Sequence, residues 1–159
     1  MAIAKGTNSY VTVSEADAYF ADRLDVAAWA DAPELEKAKA LVTATSYLDS
    51  LDWVGAAISD AQSLAFPRYG SYFDPKLGFD VTLDGASIPN RITNATFELA
   101  YHLLNNDGLL DDTGSVKDIS IGPIRLTGIK TANGLPGNVR RLIRPVLLNR
   151  GSSSWWRAN

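Results

Sequence analysis

Seven residues near the C-terminus have the side chains best suited to bind something: Arg140, Arg141, Arg144, Arg150, Trp155, Trp156 and Arg157. A guanidinium offers a planar fork of N–H donors that matches a carboxylate or a phosphate. An indole is large and amphipathic, and it gains most when it fills a pocket. Arg and Trp are also the residues that anchor protein interfaces. The same set can hold nucleic acid, with Arg on phosphates and Trp stacked on bases. These seven residues are the predicted partner-binding site.

Their setting sharpens the expectation. Residues 1–116 carry 7 Lys+Arg against 17 Asp+Glu, a net of −10. Residues 117–159 carry 8 Lys+Arg against the single Asp118, a net of +7, which leaves the chain of 159 at −3. An acidic body with a basic, Trp-tipped end reads as a chain that docks onto something anionic or onto its own copies. The plainer alternative for its arginines is a solvated basic helix face near a helix C-terminus.

No catalytic constellation competes with that reading. The one histidine, His102, has Glu98 four residues before it, a pairing that helices commonly use. A general base needs a nucleophile to serve, and no nucleophile elbow is present. Asp107, Asp111 and Asp112 cluster, but without the alternate-position spacing of a calcium loop. Phosphate-binding glycine loops and zinc-ligand spacings are missing as well. The chain has no Cys, so thiolate chemistry is excluded. The sequence therefore predicts no enzyme, no catalytic residue, no metal and no cofactor.

The length suits one domain with its own core, and 46% apolar with 21% charged residues is globular composition. No stretch reaches the ~18 apolar residues that span a bilayer, and the first residues do not form a signal peptide. The expectation is a soluble, unexported protein with no membrane partner. The predicted domains are residues 1–148, followed by a flexible docking tail at 149–159.

Periodicity supplies the elements. Ser9 to Val13 reads as a short strand or extended arm. Ser14-Glu15-Ala16-Asp17 reads as a capping box that opens a helix to about Arg23, with Ala16, Tyr19 and Phe20 on one face. Asp31-Ala32-Pro33-Glu34 is a second start signal. The helix after it places Leu35, Ala38, Leu41, Val42, Thr45, Leu48 and Leu51 on an inward stripe. Trp53-Val54-Gly55 reads as a turn with a buried aromatic, and Ala61 to Ala65 as a short helix stopped by Phe66-Pro67. Residues 68–87 read as a long structured loop with short strands at Phe79–Leu83, a length that points to function or an interface. Pro89 opens a helix with Ile92, Ala95, Thr96, Leu99 and Leu103 on one side. A β-hairpin follows, at Asp118–Ile121 and Ile124–Thr127, with alternating apolar and polar residues. The last helix turns Val139, Leu142, Ile143 and Val146 inward, and Pro145 ends or kinks it. The predicted class is mainly α (α+β): a small helical bundle with a β-hairpin, a long structured loop and an extended C-terminal tail.

Spaced segments over residues 8–104 carry a resemblance. Asn8-Ser9-Tyr10-Val11 leads into Ser14-Glu15-Ala16-Asp17-Ala18-Tyr19-Phe20, followed by Ala28-Trp29 and the helix Lys37 to Leu48 with Ala44-Thr45-Ser46-Tyr47-Leu48. Then come Asp52-Trp53-Val54-Gly55, Gln62-Ser63-Leu64-Ala65-Phe66-Pro67-Arg68, Ile88-Pro89 and Ala95-Thr96-Phe97-Glu98-Leu99-Ala100. In this order they resemble a family of tailed-bacteriophage head–tail connector (adaptor, head-completion) proteins. Members of that family are often labelled DnaT-like single-stranded-DNA-binding proteins.

The resemblance implies a subunit of a homo-oligomeric ring, typically of twelve copies, beneath the portal protein. Such a ring extends the channel through which double-stranded DNA passes and gives the tail or nozzle protein a platform. It implies a virion protein of the head–tail neck, held in the host cytoplasm during assembly. The label keeps a single-stranded-DNA-binding alternative open, which would use the basic Trp-containing C-terminal segment. The tail itself carries no part of the resemblance.

Overall fold

In a computed structural model the described residues are 2–105, 134–148 and, by backbone, 118–121 and 124–127. The helices are α1 (Val13–Phe20), α2 (Ala27–Ala30), α3 (Glu34–Asp49), α4 (Asn90–Leu104) and α5 (Gly137–Ile143). The strands are β1 (Ala56–Ala57), β2 (Arg68–Asp74), β3 (Phe79–Asp84), β4 (Asp118–Ile121) and β5 (Ile124–Thr127). The α+β class predicted from sequence holds.

Helix α1 starts two residues earlier than the sequence suggests. Thr12 is the N-cap, with its hydroxyl accepting from the Glu15 N–H while the Glu15 carboxylate accepts from the Thr12 N–H. The longer Glu reaches back where Asp17 is too short. Asp17 instead accepts from the Trp29 indole at 2.9 Å and from Lys37 at 3.0 Å, which ties α1 to α2 and α3. The helix ends at Phe20 rather than near Arg23. Ser9 to Val11 form no ladder strand: Ser9 makes a single bridge to Lys5, and the Tyr10 N–H donates to Thr45 Oγ1 of α3.

Helices α3 and α4 form the centre and pack on each other, with α5 laid against α4. Helix α3 buries Ala38, Ala40, Leu41, Ala44, Thr45 and Leu48. Leu35, expected on that stripe, is 49% exposed. Neither α3 nor α4 has a side-chain cap; Pro33 and Pro89 hold the entering chain extended and lose no donor there. Helix α4 buries Ile92, Ala95, Thr96, Phe97, Leu99 and Ala100. One hydrophobic cluster runs from Tyr10 through Trp29, Trp53 and Phe66 to Val139, Ile143 and Val146.

The segment expected as a long loop is mostly ladder. Strands β2 and β3 pair antiparallel from Tyr69↔Asp84 to Asp74↔Phe79, and β1 adds Ala56↔Tyr69 and Ala57↔Arg68. Gly55 makes this possible. Its φ is +78°, and a Cβ there would stand 2.0 Å from the Tyr69 carbonyl oxygen. Residues 61–65, expected as a helix, are bends and turns. The Gln62 side chain holds them instead, accepting from the Ile58 N–H at 2.8 Å and donating to the Leu64 and Pro67 carbonyls. The predicted hairpin at 118–127 is present as β4 and β5. Asp107, Asp111, Asp112 and the tail at 149–159 lie outside the described residues.

Candidate docking surfaces

Helix α5 is a short amphipathic element. Val139, Ile143 and Val146 recur at steps of four and three and are fully buried. Arg140, Arg141 and Arg144 are exposed on the other side. Arg141 donates to the Gly137 carbonyl at 3.2 Å, and Arg140 lies along Gly134. Among the described residues, none of the three is paired with a carboxylate. Pro145 follows the C-cap residue Arg144. The chain is then stitched to residues 52–54: the Val54 N–H donates to Val146 and the Leu148 N–H to Asp52. Residues 146–148 are therefore anchored beside Trp53.

The cations of the acidic body behave differently. Lys5 pairs with Glu15, Arg23 with Glu98, Lys37 with Asp17, Lys39 with Glu36 and Arg91 with Asp74. Arg68 donates to the carbonyls of Val54, Gly55 and Ala65. Among the described residues, Lys76 is the one cation of the body for which no such side-chain partner is seen. Among the described residues, arginines without a carboxylate partner or a set of several carbonyl partners are thus concentrated on α5.

A second surface lies within residues 68–87, the segment whose length pointed to function or an interface, although none of its residues was singled out. In the β2–β3 ladder, residues directly opposite share a face. Tyr72, Leu83 and Asp74 are turned inward and buried. Tyr69 with Asp84, Ser71 with Thr82 and Phe73 with Asp80 point outward. Tyr69 is 52% exposed and Phe73 57% exposed, with Leu77 and Phe79 equally open at the hairpin tip. The Tyr69 ring lies over Gly85, where a Cβ would fall 2.6 Å from Cε1. The Asp84 carboxyl accepts from the Ala86 and Ser87 N–H groups, which hold its pKa below the usual range. The outer face is therefore aromatic and acidic. The signal that could have found it is the period-two run Tyr69, Ser71, Phe73.

Asp74 and Arg91 hold the hairpin against the helices. The guanidinium grips both carboxylate oxygens, Nε donating to Oδ2 at 2.8 Å and Nη2 to Oδ1. Arg91 also donates to the Leu142 carbonyl of α5 at 3.3 Å. Hydrogen bonding to Arg91 brings the Asp74 pKa down to about 2. The Asp74 carboxylate accepts from the Lys76 N–H as well, closing the turn at the tip. A cleft of about 420 Å³ opens beside the pair, between the inner hairpin face, the start of α4 and Leu142.

A family model described as "Putative DnaT-like ssDNA binding protein" matches residues 2–157. The chain belongs to that family. The resemblance drawn from the sequence holds at this level, and the match carries no head–tail connector assignment. No curated protein and no solved structure matches the chain.

The structure also places the other candidates. His102 is tied to Glu98 through Asn138, whose Oδ1 meets His102 Nε2 at 3.2 Å and whose Nδ2 donates to Glu98 Oε2 at 2.8 Å. Glu98 accepts from Tyr19 and Arg23 too, so it joins α1, α4 and the start of α5. Burial, then the adjoining Glu98 carboxylate, raises the Tyr19 pKa. This is a structural network, with each polar group engaged by another element. Among the described residues no group of three or more His, Asp or Glu could hold a metal, and no helix is long and apolar enough to cross a membrane. Of the seven predicted site residues, Arg140, Arg141 and Arg144 share one face. Arg150, Trp155, Trp156 and Arg157 lie outside the described residues.

Proposed function

We infer that this member of the family is a structural subunit that assembles as a ring at the phage head–tail neck, bound to the portal and carrying the tail. The observation that supports it best is the outer face of the β2–β3 hairpin. Tyr69 and Phe73 stand more than half exposed on that face, and Leu77 and Phe79 are as open at the tip, while the inner face takes up a charged aspartate. Clustered exposed aromatics mark a surface meant for another protein. The acidic body fits a channel wall from which passing DNA is repelled. The resemblance to connector proteins supplies the portal and tail as partners, and the ring as the expected assembly.

The family description favours a second reading, single-stranded-DNA binding. Arg140, Arg141 and Arg144 would meet phosphates, and Trp155 and Trp156 would stack on bases. A nucleic-acid module usually spreads positive charge over the domain. Here most of the body's cations are engaged internally, which ranks this reading second.

One experiment separates the two. The full chain and a chain ending at Leu148 are titrated with single-stranded DNA by Trp fluorescence at low salt and at ~150 mM. In parallel, co-sedimentation with the portal is measured. The connector reading expects portal binding and no DNA binding at the higher salt. Micromolar DNA binding that survives ~150 mM salt and vanishes with the tail, without portal binding, would overturn it.

A further inference from the structure

We propose that neighbouring copies join head to tail, the outer face of the β2–β3 hairpin of one copy docking on the basic face of α5 of the next. The proposal rests on the ring reading above and names the contact that would build the ring. The two faces are complementary in chemistry. One presents Tyr69 and Phe73 flanked by Asp80 and Asp84. The other presents Arg140, Arg141 and Arg144, which have no carboxylate partner among the described residues. Guanidinium groups pair with carboxylates and stack on aromatic faces, so both components of the hairpin surface suit the same three side chains.

Geometry gives the contact a direction. The two patches are different surfaces of one chain, so their union is heterologous and propagates from copy to copy. A heterologous contact closes into a ring only if the angle between the patches is held constant. Arg91 does this, gripping Asp74 at the end of β2 while donating to Leu142 in α5. Both patches are thereby referred to one guanidinium.

The chain has no Cys, so single cysteines report contacts cleanly. Phe73→Cys and Arg140→Cys are made in separate full-length chains, one of them isotope-labelled, then mixed at high concentration and oxidised. Mixed disulfide dimers should exceed either homodimer by about tenfold, the ratio that one modest favourable contact provides. Adding Asp80→Lys to the first chain or Arg144→Glu to the second should lower the mixed dimer by a similar factor. Carrying both should restore it. Circular dichroism melts check that each variant folds.

Predominant Phe73→Cys homodimers would overturn the proposal in favour of hairpin pairing with hairpin. Failure of the double charge swap to restore the mixed dimer would overturn it as well. Electron microscopy of the unmodified chain, alone and on the portal, keeps the two inferences apart. Rings without the 73–140 link refute this contact and leave the ring reading standing. No rings and no link refute both.

Discussion

Helix α5 and the β2–β3 hairpin handle charge in opposite ways. Helix α5 follows the ordinary rule, with Val139 and Ile143 inside and its arginines in water. The hairpin inverts it, burying Asp74 to 6% exposure while Phe73, on the adjacent position, stands 57% open. The inversion is stable because Arg91 satisfies the buried carboxylate from the other side of the cleft. Such a pair is costly to desolvate and seldom adds net stability. Its use here is positional, since it holds the hairpin in one place and leaves the aromatic face outward.

The most damaging way to break the comparison is to remove one partner of that pair. Asp74→Ala leaves the Arg91 guanidinium, whose side chain is 16% exposed, without its carboxylate. The expected loss is about 3–5 kcal/mol in urea unfolding. Asp74→Asn should cost less and remove a pH dependence. The carboxyl's pKa is depressed to about 2 from 3.8, so its contribution is complete above pH ~4 and is lost as pH falls toward 2. The unmodified chain should lose stability over that window, and Asp74→Asn should flatten the slope. A residual slope from Asp84, held low by the Ala86 N–H, is expected to remain.

Next in size is Gly55→Ala. The new Cβ would meet the Tyr69 carbonyl at 2.0 Å, and an L residue at φ +78° is strained besides. A loss of about 2–3 kcal/mol is expected by thermal unfolding, with β1 detached from β2. Gly78, also at positive φ but with nothing within 4 Å, supplies the control. Gly78→Ala should cost about 1 kcal/mol, the backbone term alone.

The same contrast explains how much of the molecule was legible in its sequence. Helices α3, α4 and α5 were, because each carries a clean helical stripe bounded by Pro33, Pro89 or Pro145. Their partners in space followed less well. Leu35 fits the stripe of α3 by spacing, yet it stands half exposed while Lys37 of the same turn is held by Asp17. The start of α1 was misplaced because Thr12 and Ser14 both precede an acid by three residues, and only the longer Glu15 closes its box. The hairpin was obscured by its own pattern. A buried Asp74 and exposed Tyr69, Phe73 and Phe79 run against binary patterning, the signal on which a strand reading depends. Arg140, Arg141 and Arg144 were legible as a basic face, but what they face was not.

A smaller effect tests whether local caps matter as little as this picture implies. Thr12→Ala removes one half of the reciprocal cap on α1, and should cost about 1 kcal/mol in urea unfolding. Assembly should be unaffected, since α1 lies in neither patch.

The smallest effect on folding should accompany a large effect on assembly. Phe73→Ser and Arg144→Ala each alter an exposed side chain with no buried partner. Both should therefore change stability by no more than about 0.5 kcal/mol. If the hairpin and α5 faces are a matched pair, each should nonetheless weaken self-association in sedimentation. The loss for Arg144→Ala should shrink as salt rises, since screening removes the charged part of the contact. The loss for Phe73→Ser should persist, because apolar burial is not screened. Equal salt sensitivity in the two variants would mean that the aromatic face contributes nothing of its own.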